Sequence, residues 1–268
     1  MATIDYEALA AKHISRPADG NRYPKFLVYG RQKKGKSTFS LSGGIENTLL
    51  LDPEDGTDEM KKSNPHVWKI GRWQDLDDAY NYLRYGKHQY KWCSVDGLTR
   101  FNNMALKYTM HLQEEKSLDR IPGLVQQRDY GKSGELMKDL LTRFHNLPMG
   151  VVFTAQERMA EAFNSEEDEE IASEDEAAAV FVPDLPKGVK GYVNSLVDVI
   201  GRIYTVKVDD GKGGMKIQRR LWIGDSLKYD TGYRSDFPLP DYLSNPSVIR
   251  LTRMIRTGSP IAPKAAAK

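Results

Sequence analysis

Eight residues, "GRQKKGKS" at positions 30–37, constrain this chain more than any others. They fit the pattern G-x-x-x-x-G-K-S/T, which works only where a buried strand runs into the first glycine and a helix starts near the lysine. Both flanks comply. "KFLVY" before Gly30 reads as a buried strand, and "GKSTFSLS" can open a helix. Gly30 and Gly35 let the backbone wrap so that successive N–H groups converge on phosphate oxygens. Lys36 brings an ammonium to the β- and γ-phosphates, Ser37 offers a hydroxyl to Mg²⁺, and the helix start adds its positive end. Gly30, Arg31, Gln32, Lys33, Lys34, Gly35, Lys36, Ser37 and Thr38 are therefore the expected nucleotide loop, with ATP and Mg²⁺ as the ligands it implies. A Lys-rich surface turn would leave the apolar strand before Gly30 unexplained.

Downstream, short apolar runs alternate with longer polar stretches. The runs "NTLLLD", "KWCSVD" and "MGVVFTA" predict further strands. "QDLDDAYNYLRYG" and "GKSGELMKDLLTRFHNLP" carry apolar residues at helical spacing. This alternation predicts an α/β fold around a mainly parallel sheet. Two later runs, "VDVIGRIYTVKV" and "IQRRLWIG", flank the Gly-rich "DDGKGGMK" and predict an antiparallel hairpin that extends the sheet. The expected organisation is an N-terminal segment at 1–20 with a short helix, a nucleotide-binding core at 21–206, a β-rich extension at 207–256 and a frayed tail at 257–268. Trp68 and Trp73 read as core or lid residues.

Composition excludes several classes. No apolar run approaches the ~18 residues of a membrane span. The N-terminus has acidic residues where an export signal needs an apolar core, so a cytoplasmic location is expected. Cys93 is the only cysteine, which rules out an intramolecular disulfide and a Cys-based zinc site. None of the five histidines has a partner at ligand spacing, so they read as structural or surface residues. The net charge of +2 identifies no partner, but its distribution is uneven. "EEDEEIASEDE" is strongly acidic and reads as a solvated loop, while Lys and Arg gather at 31–36 and 212–220.

Hydrolysis at such a loop needs a carboxylate to organise the metal and a base to orient water. Asp96, closing "KWCSVD", is the natural metal-organising group, although a lone Asp at a strand end also makes turns. Asp52, Glu54 and Asp55 in "DPEDG" stand at the carboxyl end of the next strand, the edge where open α/β sheets bind ligands. Any of them could serve as base, or the three could simply be an acidic turn. Gln156, after "VVFTA", falls at the same edge. Its amide suits a γ-phosphate or a water, or equally a loop cap.

These elements in this order resemble the RecA-like ATPases, above all the short phage-type single-strand annealing proteins of the Sak group. "GRQKKGKST" corresponds to the Walker A segment and "CSVDGL" to the Walker B Asp, here Asp96. "LLLDPEDG" is similar to the segment carrying the catalytic glutamate, here Glu54, and "VVFTAQER" to the strand ending in the γ-phosphate-sensing glutamine, here Gln156. Late segments "VNSLVDVIGRIYTV" and "RRLWIG" extend the likeness, which covers roughly residues 22 to 250. It implies an ATPase that binds single-stranded DNA, assembles as a ring or filament, and promotes annealing or strand exchange, with a single-strand-binding protein as a further partner.

By that likeness the stretch after Asp96 faces DNA, where Arg120, Gln126, Gln127, Arg128, Tyr130 and Lys132 offer phosphate contacts and one stacking ring. The basic hairpin at 212–220 is a second candidate. Arg234, in a loop-like setting, is a candidate cation for a neighbouring subunit's active site. One departure stands out: residues 157–179 are acidic where the family's second DNA loop would lie, and acid repels phosphate. A switch ATPase that acts on a protein partner, and a small-molecule kinase, are the rival expectations.

Overall fold

A strand buried at every position needs neighbours on both sides and cover on both faces. Lys25–Tyr29 (β1) is such a strand. In the computed structural model, which describes residues 5–14, 23–53, 60–117, 119–160 and 180–259, β1 lies inside a nine-stranded sheet. It pairs in parallel with Gly150–Ala155 (β5) on one side and with Val199–Asp209 (β8) on the other. Beyond β5 follow Trp92–Val95 (β4), Thr48–Asp52 (β2) and His66–Lys69 (β3), all parallel. Beyond β8, Met215–Trp222 (β9) and Tyr242–Ser244 (β11) are antiparallel, and Gly232–Tyr233 (β10) also pairs with β8. The sheet is thus mainly parallel with an antiparallel extension, as the alternation of runs predicts.

The two-residue period of β1 divides its side chains between two cores. Leu27 and Tyr29 face one layer, with Leu51, Val95 and Phe153 from neighbouring strands. Asp75–Tyr85 (α3), Leu98–Glu114 (α4), Gln127–His145 (α5) and Lys187–Leu196 (α6) contribute Leu76, Phe101, Leu140 and Val193 to it. Phe26 and Val28 face the other layer, closed by Phe39 of Lys36–Ser40 (α2) and by Leu251 and Met254 of Val248–Thr257 (α7). Tyr6–His13 (α1) is the short N-terminal helix. Among the described residues no helix is long and apolar enough to cross a membrane.

Three elements differ from the sequence expectations. "HVWK" is the edge strand β3, a strand the apolar runs do not announce; Trp68 packs partly buried against the core and Trp73 beyond it is buried, so of the expected alternatives, core or lid, both take the core. The stretch after Asp96, which the likeness places as a DNA-facing loop, starts as a helix. Leu98, Phe101, Ala105 and Thr109 form one buried stripe at helical spacing, which makes 98–114 a single long helix. The acidic segment expected as loop from 157 begins as a strand, because Glu157–Ala160 (β6) pairs antiparallel with Val180–Pro183 (β7) in a separate ribbon. Its run 161–179 lies outside the described residues.

Candidate nucleotide and metal site

The parallel strands of the sheet all end at one edge, so the loops after β1, β2, β4 and β5 converge there. The loop after β1 is shaped by glycine. Gly30 passes so close to β8 that a Cβ would lie 2.4 Å from the carbonyl oxygen of Ile203. Gly35 has φ 97° and Lys33 φ 59°, left-handed conformations that turn the chain into α2. Lys36 Nζ donates to the carbonyls of Gly30 and Arg31, at 2.9 and 3.0 Å, so its ammonium is held over the mouth of the loop.

A cavity of about 530 Å³ opens on this loop. Gln32, Lys33, Gly35, Lys36, Ser37 and Thr38 line one side, and Asp52, Asp96, Gly97, Thr154 and Gln156 the other. The structure therefore brings the loop at 30–37, the Asp96 carboxylate and the Gln156 amide, all expected site residues, to one space. Asp96 reaches it although β5 separates its strand from β1. Thr154 on β5 spans the gap, its Oγ1 donating to Asp96 Oδ1 at 2.5 Å and accepting from the Gly97 N–H at 2.9 Å. Gln156 Oε1 accepts from Gln32 Nε2 at 3.4 Å, so the amide already touches the loop.

Ser37 and Asp96 fit Mg²⁺. That ion takes one or two protein oxygens and completes its shell with phosphate oxygens and water. Among the described residues no group of three His, Cys, Asp or Glu side chains could hold a metal unaided. Asp52 is nearly buried and lines the cavity, so it stays a candidate base. Glu54 lies outside the described residues.

The side chain of the residue after Gln156, Glu157, is almost wholly buried. Its carboxylate accepts from Arg202 of β8 at 2.9 and 3.3 Å and pairs with Arg31 of the phosphate loop at 3.2 Å. Arg202 in turn lies over the rings of Phe181 and Tyr229, 4.3 and 4.5 Å from their centroids. The phosphate loop, β8 and the β6–β7 ribbon are thus joined by one charge network.

Other expected site residues fall elsewhere. Arg120 is a correction. It is buried, and its guanidinium donates to Asp129 within α5's cap, so no charge is left at the surface for a phosphate. That hydrogen bond, the largest influence, holds the Asp129 carboxyl below the usual range. The backbone N–H of Gln126 donates to the same carboxylate and caps the helix. Gln127, Arg128, Tyr130 and Lys132 are exposed or nearly so on the first turns of α5. Arg234 lies in its own chain at the opposite end of β1, where it donates to the carbonyl of Ser195 at 2.8 Å and lines a cavity with Lys25 and Asp198.

Thr154, Thr99, Arg100 and Arg219 also line the nucleotide cavity, and the sequence alone does not single them out for it. Thr154 carries no signal beyond its strand. Arg219 belongs to the basic cluster at 212–220, which reads from sequence only as a candidate for DNA.

Comparison with solved structures finds distant likenesses. One structure, described as an ATPase domain, aligns at a TM-score of 0.46 and 12% identity, over 84% of this chain and 81% of its own. The flagellar accessory protein FlaH from Methanocaldococcus jannaschii gives 0.40 and 10%, over 90% and 92%. A KaiC-like protein from Pyrococcus horikoshii OT3 gives 0.41 and 11%, over 83% and 90%. No curated protein matches the chain. The profile of the AAA domain family matches residues 22–235, which holds the phosphate loop, Asp96 and Gln156. The chain belongs to the AAA domain family and is a P-loop ATPase built on a mainly parallel α/β sheet.

Proposed function

We propose that this ATPase binds single-stranded DNA and uses ATP to drive annealing or strand exchange, acting as a homo-oligomer. Lys36 would leave the carbonyls of Gly30 and Arg31 for the β- and γ-phosphates. Ser37 and Asp96 would hold Mg²⁺, which neutralises phosphate charge when bound. Glu54 orients the attacking water, and Gln156 bonds the γ-phosphate. Arg234 would act, if anywhere, on a neighbouring subunit.

The observation that carries coupling is the buried Glu157. Because it ties Arg31 to the β6–β7 ribbon, a shift of Gln156 toward a phosphate moves the first residue of that ribbon. For the strand itself, support comes from α5, where exposed Arg128 and Lys132 flank exposed Tyr130, two charges beside a stacking ring. A second reading, a switch acting on a protein partner, is favoured by Ile121, Leu124 and Val125, which are 64%, 51% and 36% exposed just before α5.

Steady-state ATP hydrolysis at low salt, with and without single-stranded DNA and with Lys36→Ala as blank, separates the two. Stimulation that fades as salt rises supports the DNA reading. Hydrolysis indifferent to DNA refutes it and leaves the protein-partner switch.

A further inference from the structure

The antiparallel extension does more than widen the sheet, because β9 lays a cation against the phosphate loop. Arg219 Nε donates to the carbonyl oxygen of Lys34 at 3.1 Å. Its guanidinium packs on Gly35 so closely that a Cβ there would sit 2.2 Å from Nε and 2.8 Å from Nη2. The guanidinium thus fills the space a side chain at Gly35 would need, and the φ of 97° there favours glycine. Lys34 is meanwhile turned outward, its ammonium donating to Thr205 of β8 at 3.2 Å. One of the loop's lysines is thus spent on the sheet, while an arginine from the sheet is brought to the loop.

Arg219 is half-buried, and among the described residues it makes no ion pair. Its terminal nitrogens carry no hydrogen bond to any described residue, yet it lines the same cavity as Lys36, Ser37 and Asp96. A half-buried guanidinium without a carboxylate is poorly satisfied, and the fork of donors it presents matches phosphate oxygens. The strand order fixes which end of the nucleotide it meets. β9 and β4 lie on opposite sides of β1, so Arg219 and Asp96 enter the cavity from opposite flanks. Asp96 and Gln156 mark the γ-phosphate end.

We propose that Arg219 is a phosphate-binding residue acting within its own chain, gripping the α- and β-phosphates of the nucleotide. This rests on the nucleotide occupying the loop at 30–37. It assigns Arg219 to ground-state binding shared by ATP and ADP, distinct from a cation that acts only when the γ-phosphate is transferred.

The test is calorimetric titration of the full chain with ADP and ATP, together with steady-state hydrolysis, for Arg219→Ala, Arg219→Gln and Lys36→Ala. Arg219→Gln keeps a donor for the Lys34 carbonyl and removes the charge, so it separates phosphate contact from mere bracing of the loop. Both Arg219 variants are expected to weaken ADP and ATP alike by about tenfold or more, the scale of a lost hydrogen bond to a charged group. The loss falls on KM rather than kcat. Wild-type ADP affinity in Arg219→Gln would overturn the proposal, as would a fall in kcat at unchanged affinity. Lys36→Ala tests the underlying site: if it leaves ADP binding intact, the loop itself has been misassigned, whatever Arg219 does.

Discussion

Replacing Thr154 by valine would remove one hydroxyl and keep the shape of a side chain with no exposed surface. That hydroxyl makes two bonds in the structure, to the Asp96 carboxylate at 2.5 Å and from the Gly97 N–H at 2.9 Å. A hydrogen bond to a charged group contributes roughly 1.5–3 kcal/mol, and an orphaned buried N–H costs about 1–3 kcal/mol. Asp96 and Gly97 are only half-buried, so water recovers part of both. The expected net loss of stability is therefore about 2–3 kcal/mol, near the low end of that sum. The effect on activity is separate. With its supporting hydroxyl gone, the Asp96 carboxylate is free to rotate, and loss of such a second layer of support costs about 10–100-fold in metal affinity or rate. Urea unfolding would give the first quantity, and ATP hydrolysis titrated with Mg²⁺ the second. Thr154→Ser, which keeps the hydroxyl, should recover most of both. If folded Thr154→Val hydrolyses ATP within about twofold of wild type at limiting Mg²⁺, far short of the loss expected for such support, Asp96 is not held through β5 and its assignment to the metal fails.

Glu54→Gln is expected to abolish hydrolysis while leaving ATP binding intact, since the phosphate loop is untouched; surviving hydrolysis would transfer the role of base to Asp52 or Asp55. Gly30→Ala forces a Cβ to within 2.4 Å of the Ile203 carbonyl, so it should shift the loop, weaken ADP binding by an order of magnitude or more, and lower the melting temperature. Lys25 supplies a pH signature. Burial brings its ammonium down from 10.5 to about 8, so across that window the unfolded chain holds more protons than the folded one. Its contribution to stability therefore rises with pH between those values, by at most about 1.4 kcal/mol per pH unit. Lys25→Met should flatten that slope in urea unfolding; an unchanged slope would mean that the ammonium is better solvated than its position implies.

What could be read from the sequence was what local order decides. The run "KFLVY" into Gly30, followed by Lys36 and Ser37, forms strand, loop and helix in one short stretch, and the structure follows it. β3 escaped because an edge strand is covered on one side only, so its four residues show partial burial and no apolar run. α4 escaped because its buried stripe includes Thr109 among many polar neighbours. Arg120 looked like a surface cation because nothing nearby announced its burial; Asp129, nine positions on, becomes its partner only once α5 folds back. Thr154 and Arg219 were invisible for a deeper reason. Their roles follow from which strands lie beside which, β5 between β1 and β4 and β9 two places from β1, and strand order is not written in any short stretch of residues.

That order also sets a timetable for the making of the site. The phosphate loop leaves the ribosome early, yet three of its residues are gripped by strands made much later: Gly30 by Ile203, Lys34 by Thr205 and Gly35 by Arg219. Arg219 and Lys34 are 185 positions apart. At the usual pace of translation the gap is about 10–40 s. Through most of that interval the nascent loop has no outer clasp, and for the first part of it not even the strand β5 that carries Thr154. A chain interrupted before β9 would therefore possess every residue of the Walker motif and still lack the strand that lies against its loop.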